Sequence, residues 1–447
     1  MIHADNLSFR YPGQDCEALV GLSLATRPGE VCLVSGPTGC GKSTLGLACC
    51  GAIPHVIPGR RSGGLMVNSR DPGSRPMRDT SRDLGFLLQN VETMIFTDRV
   101  EQEVAFGLEN FGVPPKDMDE LIDRALSLVG ASHMRGRMLA TLSAGERQRV
   151  LLAALLALDQ RVLVLDEPLA FLDRQAQGAL LSLLGELAKA GRCVVVFEHR
   201  RDVVRPAASR EIYLRGGCVA DAAPDALAAF PVMQDANPGE TVLAFDGVSL
   251  AWPGQENSLV SGLSFAVRAG ESVALLGDNG SGKTTLLRMA MGLLRPTGGS
   301  ISTCGLSPTR EKPAVIARRA ALLFQQPDHQ LYLTTVADEA GRRNGCPDTA
   351  AKELARMGLA DLAQRHPRSL SMGQKRRLTI AAALARKPDI LLLDEPSVGQ
   401  DDQSLALVLA RLSEYVAEGG AILATTHDAR VAKALAHRSV VLEKPGG

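Results

Sequence analysis

The sequence predicts an α/β fold that is built twice along one chain, with a mostly parallel core sheet in each half. First, residues 142–168 (LSAGERQRVLLAALLALDQRVLVLDEP) recur as residues 370–396 (LSMGQKRRLTIAAALARKPDILLLDEP), which indicates an internal repeat. Second, strands alternate with helices in both halves, a pattern that favours parallel strands. Third, each half begins with short alternating runs broken by a Pro-Gly turn, IHADNLSFRYPG and LAFDGVSLAWPG, which predict an antiparallel β subdomain.

Bulk properties indicate a globular protein of two or three domains. The chain has 447 residues, of which 45% are hydrophobic and 22% charged. Its 49 basic and 49 acidic side chains cancel, so no nucleic-acid partner is expected. We predict domain 1 over 1–222, a polar linker over 223–240 and domain 2 over 241–447. No apolar run is long enough to span a bilayer, and the nine cysteines without a CxxC pair predict reduced thiols.

A Gly-rich loop lies between a predicted strand and a predicted helix in each half and matches G-x-x-x-x-G-K-[ST]. Its glycines let backbone N–H groups converge on phosphate oxygens, and the helix N-terminus adds positive potential. The lysine can reach the β- and γ-phosphates, and the next hydroxyl can ligate Mg²⁺. The predicted nucleotide-binding residues are Gly36, Pro37, Thr38, Gly39, Cys40, Gly41, Lys42, Ser43 and Thr44, and then Gly277, Asp278, Asn279, Gly280, Ser281, Gly282, Lys283, Thr284 and Thr285.

A small helical subdomain is predicted between the two core strands that follow each Gly-rich loop. Apolar residues recur at helical spacing over 119–129, and the strand LGFLLQN before this region ends at Gln89. The corresponding strand in the second half ends at Gln325. Fewer residues separate Gln325 from the second repeat, so we expect its helical subdomain to be trimmed.

The order of motifs resembles the nucleotide-binding domain of ABC ATPases. A P-loop, an LS-x-G-E/Q signature, four apolar residues before Asp-Glu-Pro, and a strand-terminal His occur in this order twice. The resemblance covers essentially the whole chain, and the signature is its specific part because other P-loop families lack it. It implies hydrolysis of ATP with Mg²⁺, two ATP molecules being sandwiched between two domains that we expect to pair within one chain.

The resemblance also implies roles for the polar residues around each P-loop. Residues that would ligate or support Mg²⁺ are Ser43, Asp166, Gln89, Thr284, Asp394 and Gln325. Residues that would take part in catalysis are Glu167, His199 and Gln89, with Glu395, His427 and Gln325 in the second half. The two glutamates would act as general bases that polarise the attacking water. Because each directly follows an aspartate in a strand, we expect the two side chains to face opposite ways.

Aromatic and signature residues complete the implied nucleotide sites. Tyr11 and Trp252 match the position where the family stacks an aromatic ring on adenine, with a packing aromatic as the alternative. The signature residues Ser371 and Gly373 would complete the Lys42 site, and Ser143 and Gly145 would complete the Lys283 site. The basic residues that flank the signatures are expected on a solvated or interface face, with phosphate contact as the alternative: Arg147, Arg149, Lys375, Arg376 and Arg377.

Among ABC proteins, the segments VEQEVAFGLENFGVP after Gln89 and QQPDHQLY at Gln325 resemble the energy-coupling-factor class of vitamin and metal importers, including its cobalt and nickel branch. The first copy departs from the class at 91–94, where a Pro-Asp pair is usual. This resemblance implies integral membrane subunits that dock near Gln89 and Gln325, and a peripheral location on the cytoplasmic face of the cell membrane. The alternatives are another fused importer ATPase, such as the sugar type, and a soluble tandem ABC protein that acts on the ribosome.

Overall fold

The computed structural model describes residues 1–170, 172–221, 230–233, 238–251, 259–278, 280–341 and 347–442. The chain forms two compact units, unit 1 over Met1–Ala226 and unit 2 over Leu227–Gly447. Most of the predicted linker lies outside the described residues. Within the described ranges, no helix combines the length and the apolar character needed to cross a membrane.

Unit 1 contains nine strands and eight α-helices within the described residues. Its strands are β1 (Ile2–Arg10), β2 (Leu19–Ala25), β3 (Val31–Ser35), β4 (Arg60–Val67), β5 (Leu84–Leu87), β6 (Val162–Asp166), β7 (Cys193–Phe197), β8 (Arg210–Arg215) and β9 (Cys218–Val219). Its helices are α1 (Lys42–Cys49), α2 (Ala52–His55), α3 (Met77–Thr80), α4 (Val100–Asn110), α5 (Pro115–Leu128), α6 (Ala144–Leu156), α7 (Arg174–Lys189) and α8 (Arg201–Val204). The predicted α/β class is therefore confirmed for this unit.

The core sheet of unit 1 has the order β5-β6-β7-β3-β8-β9, and only the β8–β9 hairpin is antiparallel. Every residue of β3, β6 and β7 is buried, as expected for parallel strands that are covered on both faces. A second sheet, β2-β1-β4, is antiparallel, which confirms the predicted β subdomain. The carboxyl ends of the parallel strands point to one edge, where ligands of such sheets bind.

Helices α4, α5 and α6 form the predicted helical subdomain of unit 1. The buried face of α5 comprises Ile122, Ala125 and Leu126, which belong to one apolar cluster with Val104 of α4 and Val150 of α6. Pro115 starts α5 at a position where its missing N–H costs nothing. Strand β5 ends at Leu87, two residues before the predicted end at Gln89, so Gln89 lies in the loop.

Unit 2 repeats this architecture with a shorter helical subdomain. Its strands are β10 (Thr241–Leu250), β11 (Val260–Arg268), β12 (Ser272–Leu276), β13 (Gly298–Thr303), β14 (Ala320–Leu323), β15 (Ile390–Asp394), β16 (Ala421–Thr425) and β17 (Arg438–Val441). Its helices are α9 (Lys283–Ala290), α10 (Pro313–Ile316), α11 (Val336–Gly341), α12 (Pro347–Arg356), α13 (Met372–Leu384), α14 (Asp402–Ala417) and α15 (Ala429–Leu435). The core sheet is parallel in the order β14-β15-β16-β12-β17, and the antiparallel sheet is β11-β10-β13.

A buried ion pair joins the helical subdomain of unit 2 to its core. The guanidinium of Arg411 on α14 lies 2.9 Å from a carboxylate oxygen of Glu353 on α12, and both side chains are less than a tenth exposed. The equivalent residues of unit 1 are Leu183 on α7 and Ala125 on α5, both buried. The two units therefore use different chemistry at the same pair of positions.

We expect Arg411→Leu to destabilise unit 2 by about 3–5 kcal/mol, because it leaves the buried Glu353 carboxylate with only the 3.5 Å contact to Arg356. The double variant Glu353→Ala/Arg411→Leu reproduces the residue types of unit 1 and should regain most of this loss. Urea unfolding of the full chain measures both effects. Equal stability of the single and double variants would contradict the assignment of the cost to an orphaned charge.

Candidate functional site

The two P-loops connect a buried strand to a helix in each unit, as predicted. Lys42 Nζ donates to the carbonyl oxygens of Gly36 at 2.7 Å and Pro37 at 3.1 Å, so the ammonium group lies over its own loop. Lys283 Nζ does the same with Gly277 at 2.6 Å and Asp278 at 2.9 Å. A Cβ at Gly36 would lie 2.2 Å from the Leu214 carbonyl oxygen, so the close approach of the loop to β8 requires glycine.

A hydroxyl and a carboxylate meet beside each P-loop lysine. Ser43 Oγ donates to Asp166 Oδ2 at 2.6 Å, and Thr284 Oγ1 donates to Asp394 Oδ2 at 2.8 Å. Burial, with the neighbouring Glu167, raises the pKa of Asp166 to about 7, and burial also raises the pKa of Asp394. Two hard oxygen donors next to a phosphate-binding loop fit Mg²⁺, whose positive charge would favour the ionised carboxylate.

Glu167 and Glu395 do not belong to the strands that precede them. Each follows the last strand residue and has a left-handed backbone, with φ of 50° and 49° respectively. We predicted that the alternation of side chains along a strand turns Glu and Asp to opposite faces. This reason was wrong, because the strand ends at the aspartate. A sharp turn of the chain orients each glutamate instead.

In unit 1, Glu167 lies between the glutamine and the histidine that were predicted to share its site. Gln89 Nε2 donates to Glu167 Oε2 at 2.7 Å, and His199 Nδ1 lies 3.5 Å from Glu167 Oε1. His199 Nδ1 is also 3.1 Å from Glu198, a buried carboxylate that the sequence reasoning did not single out. Glu198 could have been found from the sequence, because it is an acidic residue directly before the predicted histidine.

The electrostatics of this group couple Glu167 to His199. Burial alone would raise the pKa of Glu167, but His199 and Lys42 outweigh it, so that pKa lies below its ordinary value. Burial would likewise lower the pKa of His199, but the carboxylates of Glu167 and Glu198 outweigh burial and raise it. Each of the two groups therefore favours the charged form of the other.

In unit 2, the equivalent glutamate contacts the histidine more closely. His427 Nδ1 lies 2.7 Å from Glu395 Oε1, within hydrogen-bond distance. Glu395 Oε2 is buried without a hydrogen-bond partner, and within the described ranges no hydrogen bond joins Gln325 to Glu395. Thr425 Oγ1 adds a 2.7 Å bond to Asp394, whereas the equivalent residue of unit 1 is Phe197. The two sites share residue types but differ in their hydrogen bonds.

The signature serines begin helices, as predicted. Ser143 caps α6 and Ser371 caps α13, each in a reciprocal capping box with the residue three positions on. Gly145 and Gly373 are buried, and Gln400 Nε2 donates to the Gly373 carbonyl at 2.9 Å. Among the described residues, no hydrogen bond links a signature residue to the P-loop of its own unit. Their contribution to the other nucleotide site stays a prediction.

Tyr11 lies beside the first P-loop, and its hydroxyl is 3.1 Å from Thr44 Oγ1. Its ring makes an edge contact with Phe9, with centroids 4.9 Å apart, so it also packs within the β subdomain. Trp252 and Asn279 lie outside the described residues.

The expectation of a solvated basic face beside the signatures was wrong for unit 2, where both arginines are buried. Arg376 donates to the carbonyls of Phe324 and Gln325, and Arg377 donates to the Met357 carbonyl at 2.6 Å. Burial lowers the pKa of Arg376 to about 10. These two arginines bind backbone of their own unit rather than solvent.

Comparison with known proteins gives matches over both units. The family model described as ABC transporter matches residues 19–170 and 260–398. The protein named "Putative HMP/thiamine import ATP-binding protein YkoD" of Bacillus subtilis is 31% identical over 496 residues, covering 100% of this chain and 90% of that protein. A "Putative ABC transporter ATP-binding protein" of Methanosarcina mazei is 32% identical over 463 residues, covering 98% of this chain and 93% of that protein.

Among solved structures, the model of ribosome-bound archaeal Pelota and ABCE1 matches with a TM-score of 0.71 and 21% identity. The match covers 97% of this chain and 76% of that chain. At this identity the likeness shows the fold alone, and it agrees with two P-loop domains in tandem.

Proposed function

The chain belongs to the ABC transporter family, and from that membership we propose that it energises a membrane importer of the energy-coupling-factor type. Its two ABC transporter segments and its ATP-binding transporter relatives show that it binds and hydrolyses ATP. The proposed cargo class is a vitamin or a transition-metal ion such as cobalt or nickel. A full-length relative whose name specifies HMP/thiamine import supports the vitamin class.

We assign the residues of unit 1 to steps of ATP hydrolysis by their contacts. Lys42 binds the β- and γ-phosphates, since its ammonium group is held over the phosphate-binding loop. Ser43 and Asp166 would hold Mg²⁺, which would neutralise phosphate charge when bound. Glu167 accepts a proton from the attacking water, since His199 and Lys42 favour its carboxylate form beside the phosphate-binding loop. His199 orients that carboxylate, and Gln89 bonds to it in the nucleotide-free chain.

Unit 2 offers the same set of groups, and we assign them the same roles. Lys283 binds phosphate, and Thr284 with Asp394 holds the second Mg²⁺. Glu395 is the proposed base, and His427 orients it at 2.7 Å. Gln325 enters the site from the loop after β14. Because neither unit lacks a required group, both sites are proposed to hydrolyse ATP.

The observation that carries the importer proposal is an exposed aromatic side chain at the same place in both units. Phe96 and Tyr332 are each 67% exposed and follow the loops that carry Gln89 and Gln325. Phe96 stacks on Phe106 of α4, with ring centroids 5.0 Å apart. Exposed aromatic residues of this kind are typical anchors of protein interfaces.

A buried glutamate fixes each aromatic segment. Glu103 accepts from the backbone N–H of Phe96 at 3.1 Å and of Thr97 at 2.9 Å. Glu339 accepts from Tyr332 at 2.8 Å and from Leu333 at 2.7 Å. The backbone of each segment is therefore fixed while its aromatic ring stays exposed. We infer that cytoplasmic segments of integral membrane subunits dock on these two rings.

Affinity purification from the native membrane tests this function. We expect the chain to recover an integral membrane protein with several spans, and Phe96→Ala/Tyr332→Ala to lower recovery by about tenfold or more, since each anchor typically contributes 2 kcal/mol or more. Leu407→Ala, which removes another exposed apolar side chain, is the matched control. Recovery of ribosomes in place of membrane subunits would refute the importer and favour the translation-factor class.

A further inference from the structure

The loop that carries Gln325 in unit 2 is held to its surroundings by two side chains. Arg376 of α13 donates to the backbone carbonyls of Phe324 and Gln325. Gln330 accepts from the Phe324 N–H at 3.0 Å and donates to the Leu322 carbonyl at 2.7 Å. Side chains therefore bind backbone groups of Leu322, Phe324 and Gln325 itself, which restrains the chain up to Gln325.

The equivalent loop of unit 1 lacks both of these supports. Gln148 takes the place of Arg376, and its buried Oε1 has no hydrogen-bond partner. Within the described ranges, no hydrogen bond joins Gln148 to the backbone of Leu88 or Gln89. Met94 takes the place of Gln330, and its sulfur, a weak acceptor, lies 3.2 Å from the Leu88 N–H.

Burial of Arg376 is expensive for the fold. Its side chain is 1% exposed, and among the described residues no carboxylate lies within ion-pair distance of its guanidinium. Asp394 and Glu395 attract it only from farther away, so burial still lowers its pKa to about 10. A neutral glutamine fits the same position of the same helix in unit 1, so the architecture does not require a charge here. The Gln325 loop is the only group that this guanidinium binds within the described residues.

The side chains of Gln89 and Gln325 differ in their contact with the neighbouring glutamate. Gln89, on the less restrained loop, bonds to Glu167 through its side chain at 2.7 Å. Gln325, on the restrained loop, makes no such bond, and Glu395 Oε2 has no hydrogen-bond partner. In unit 1 the glutamine must leave the base before it can contact a nucleotide or metal ion, whereas in unit 2 the base is already released.

We propose that Arg376 is a positioning residue that presets the Gln325 loop, and that the two ATP sites are therefore unequal. The site of unit 2 keeps one loop position through the ATP cycle. The site of unit 1 changes its loop position when ATP or a partner arrives. This inference rests on the proposed ATP sites. It adds that the two sites differ in the freedom of their glutamine loops, although they share residue types.

Hydrogen exchange of the full, nucleotide-free chain tests the loop positions without requiring hydrolysis. We expect amides of residues 322–331 to exchange about tenfold or more slowly than those of 86–95, because opening of the former breaks the bonds of Arg376 and Gln330, whereas at the equivalent positions of unit 1 only the weak Met94 contact is lost. Arg376→Gln should reduce this difference and leave the part that is due to Gln330, and Arg376→Lys should restore part of what is lost. Arg319 lies at the opposite end of β14 and donates to the Cys304 carbonyl, so Arg319→Gln should leave this difference unchanged.

Kinetics separate positioning from a merely structural role. In a Glu167→Gln background only unit 2 retains its base, and we expect Arg376→Gln to lower kcat about tenfold while KM for ATP changes less than about twofold. Unchanged loop exchange together with unchanged kcat would overturn the proposal. If Arg376→Gln does not fold, Gln148→Arg supplies the reverse test, since it should slow exchange of 86–95, and no change there would also overturn it. If the proposed ATP sites themselves are wrong, the variant that lacks both Glu167 and Glu395 should still hydrolyse ATP, which is a separate result.

Discussion

Glu167→Gln combined with Glu395→Gln is expected to reduce ATP turnover by about 10²–10⁴ while ATP still binds. The exchange replaces each carboxylate with an amide of the same shape, which cannot accept a proton from water. Phosphate binding should persist, because Lys42 and Lys283 and their loops are untouched. Phosphate release and equilibrium binding of ATP, measured on the same preparation, report the two quantities.

The single variants sharpen this result. Each should retain the turnover of the site whose base is intact, so neither alone should reach the loss of the double variant. Glu101→Gln, which neutralises an exposed carboxylate on α4, controls for the change of charge. Turnover that survives in the double variant would exclude both glutamates as general bases.

Lys42→Ala is expected to remove high-affinity ATP binding from one site and leave the other intact. The loss of a charge-assisted contact to phosphate, together with the altered loop, should weaken that site by about 2–3 kcal/mol, roughly 30- to 150-fold. Calorimetric titration with a non-hydrolysable ATP analogue should then show one tight site where the unaltered chain shows two. Lys283→Ala should give the mirror result.

Lys387→Ala, which removes an exposed lysine outside the P-loops, provides the control for this experiment. It should leave two tight sites. The loss of both sites in Lys42→Ala alone would contradict two separable P-loops.

Much of the fold and of each site could be predicted because the relevant signals are local. The P-loop pattern fixes a strand, a turn and a helix together, and the contacts of Lys42 and Ser43 follow from it. A short apolar run followed by Asp-Glu predicts the acid pair at the end of β6 and of β15. The place of His199 beside Glu167 was implied by the family resemblance, and the structure accounts for it because β6 and β7 are adjacent parallel strands whose carboxyl ends meet.

The parts that could not be predicted depend on tertiary contacts. Arg376 sits in a basic run beside a polar signature, and charge patterns alone favour solvent for such a run. Its burial results from backbone carbonyls of the Gln325 loop, which are brought to α13 only by the folded sheet. The Glu353–Arg411 pair is hidden for the same reason, since the two residues are distant in sequence and occupy different helices.

The left-handed backbone of Glu167 and Glu395 sets a conflict between fold stability and activity. A residue with a Cβ pays about 1–3 kcal/mol in this region, whereas glycine adopts it freely. Glycine at either position would relieve this backbone strain. It would also remove the carboxylate that serves as the proposed base, so ATP turnover at that site would be lost. A stabilising substitution at either position would therefore leave a domain that binds ATP without hydrolysing it. Both copies in this chain retain the glutamate.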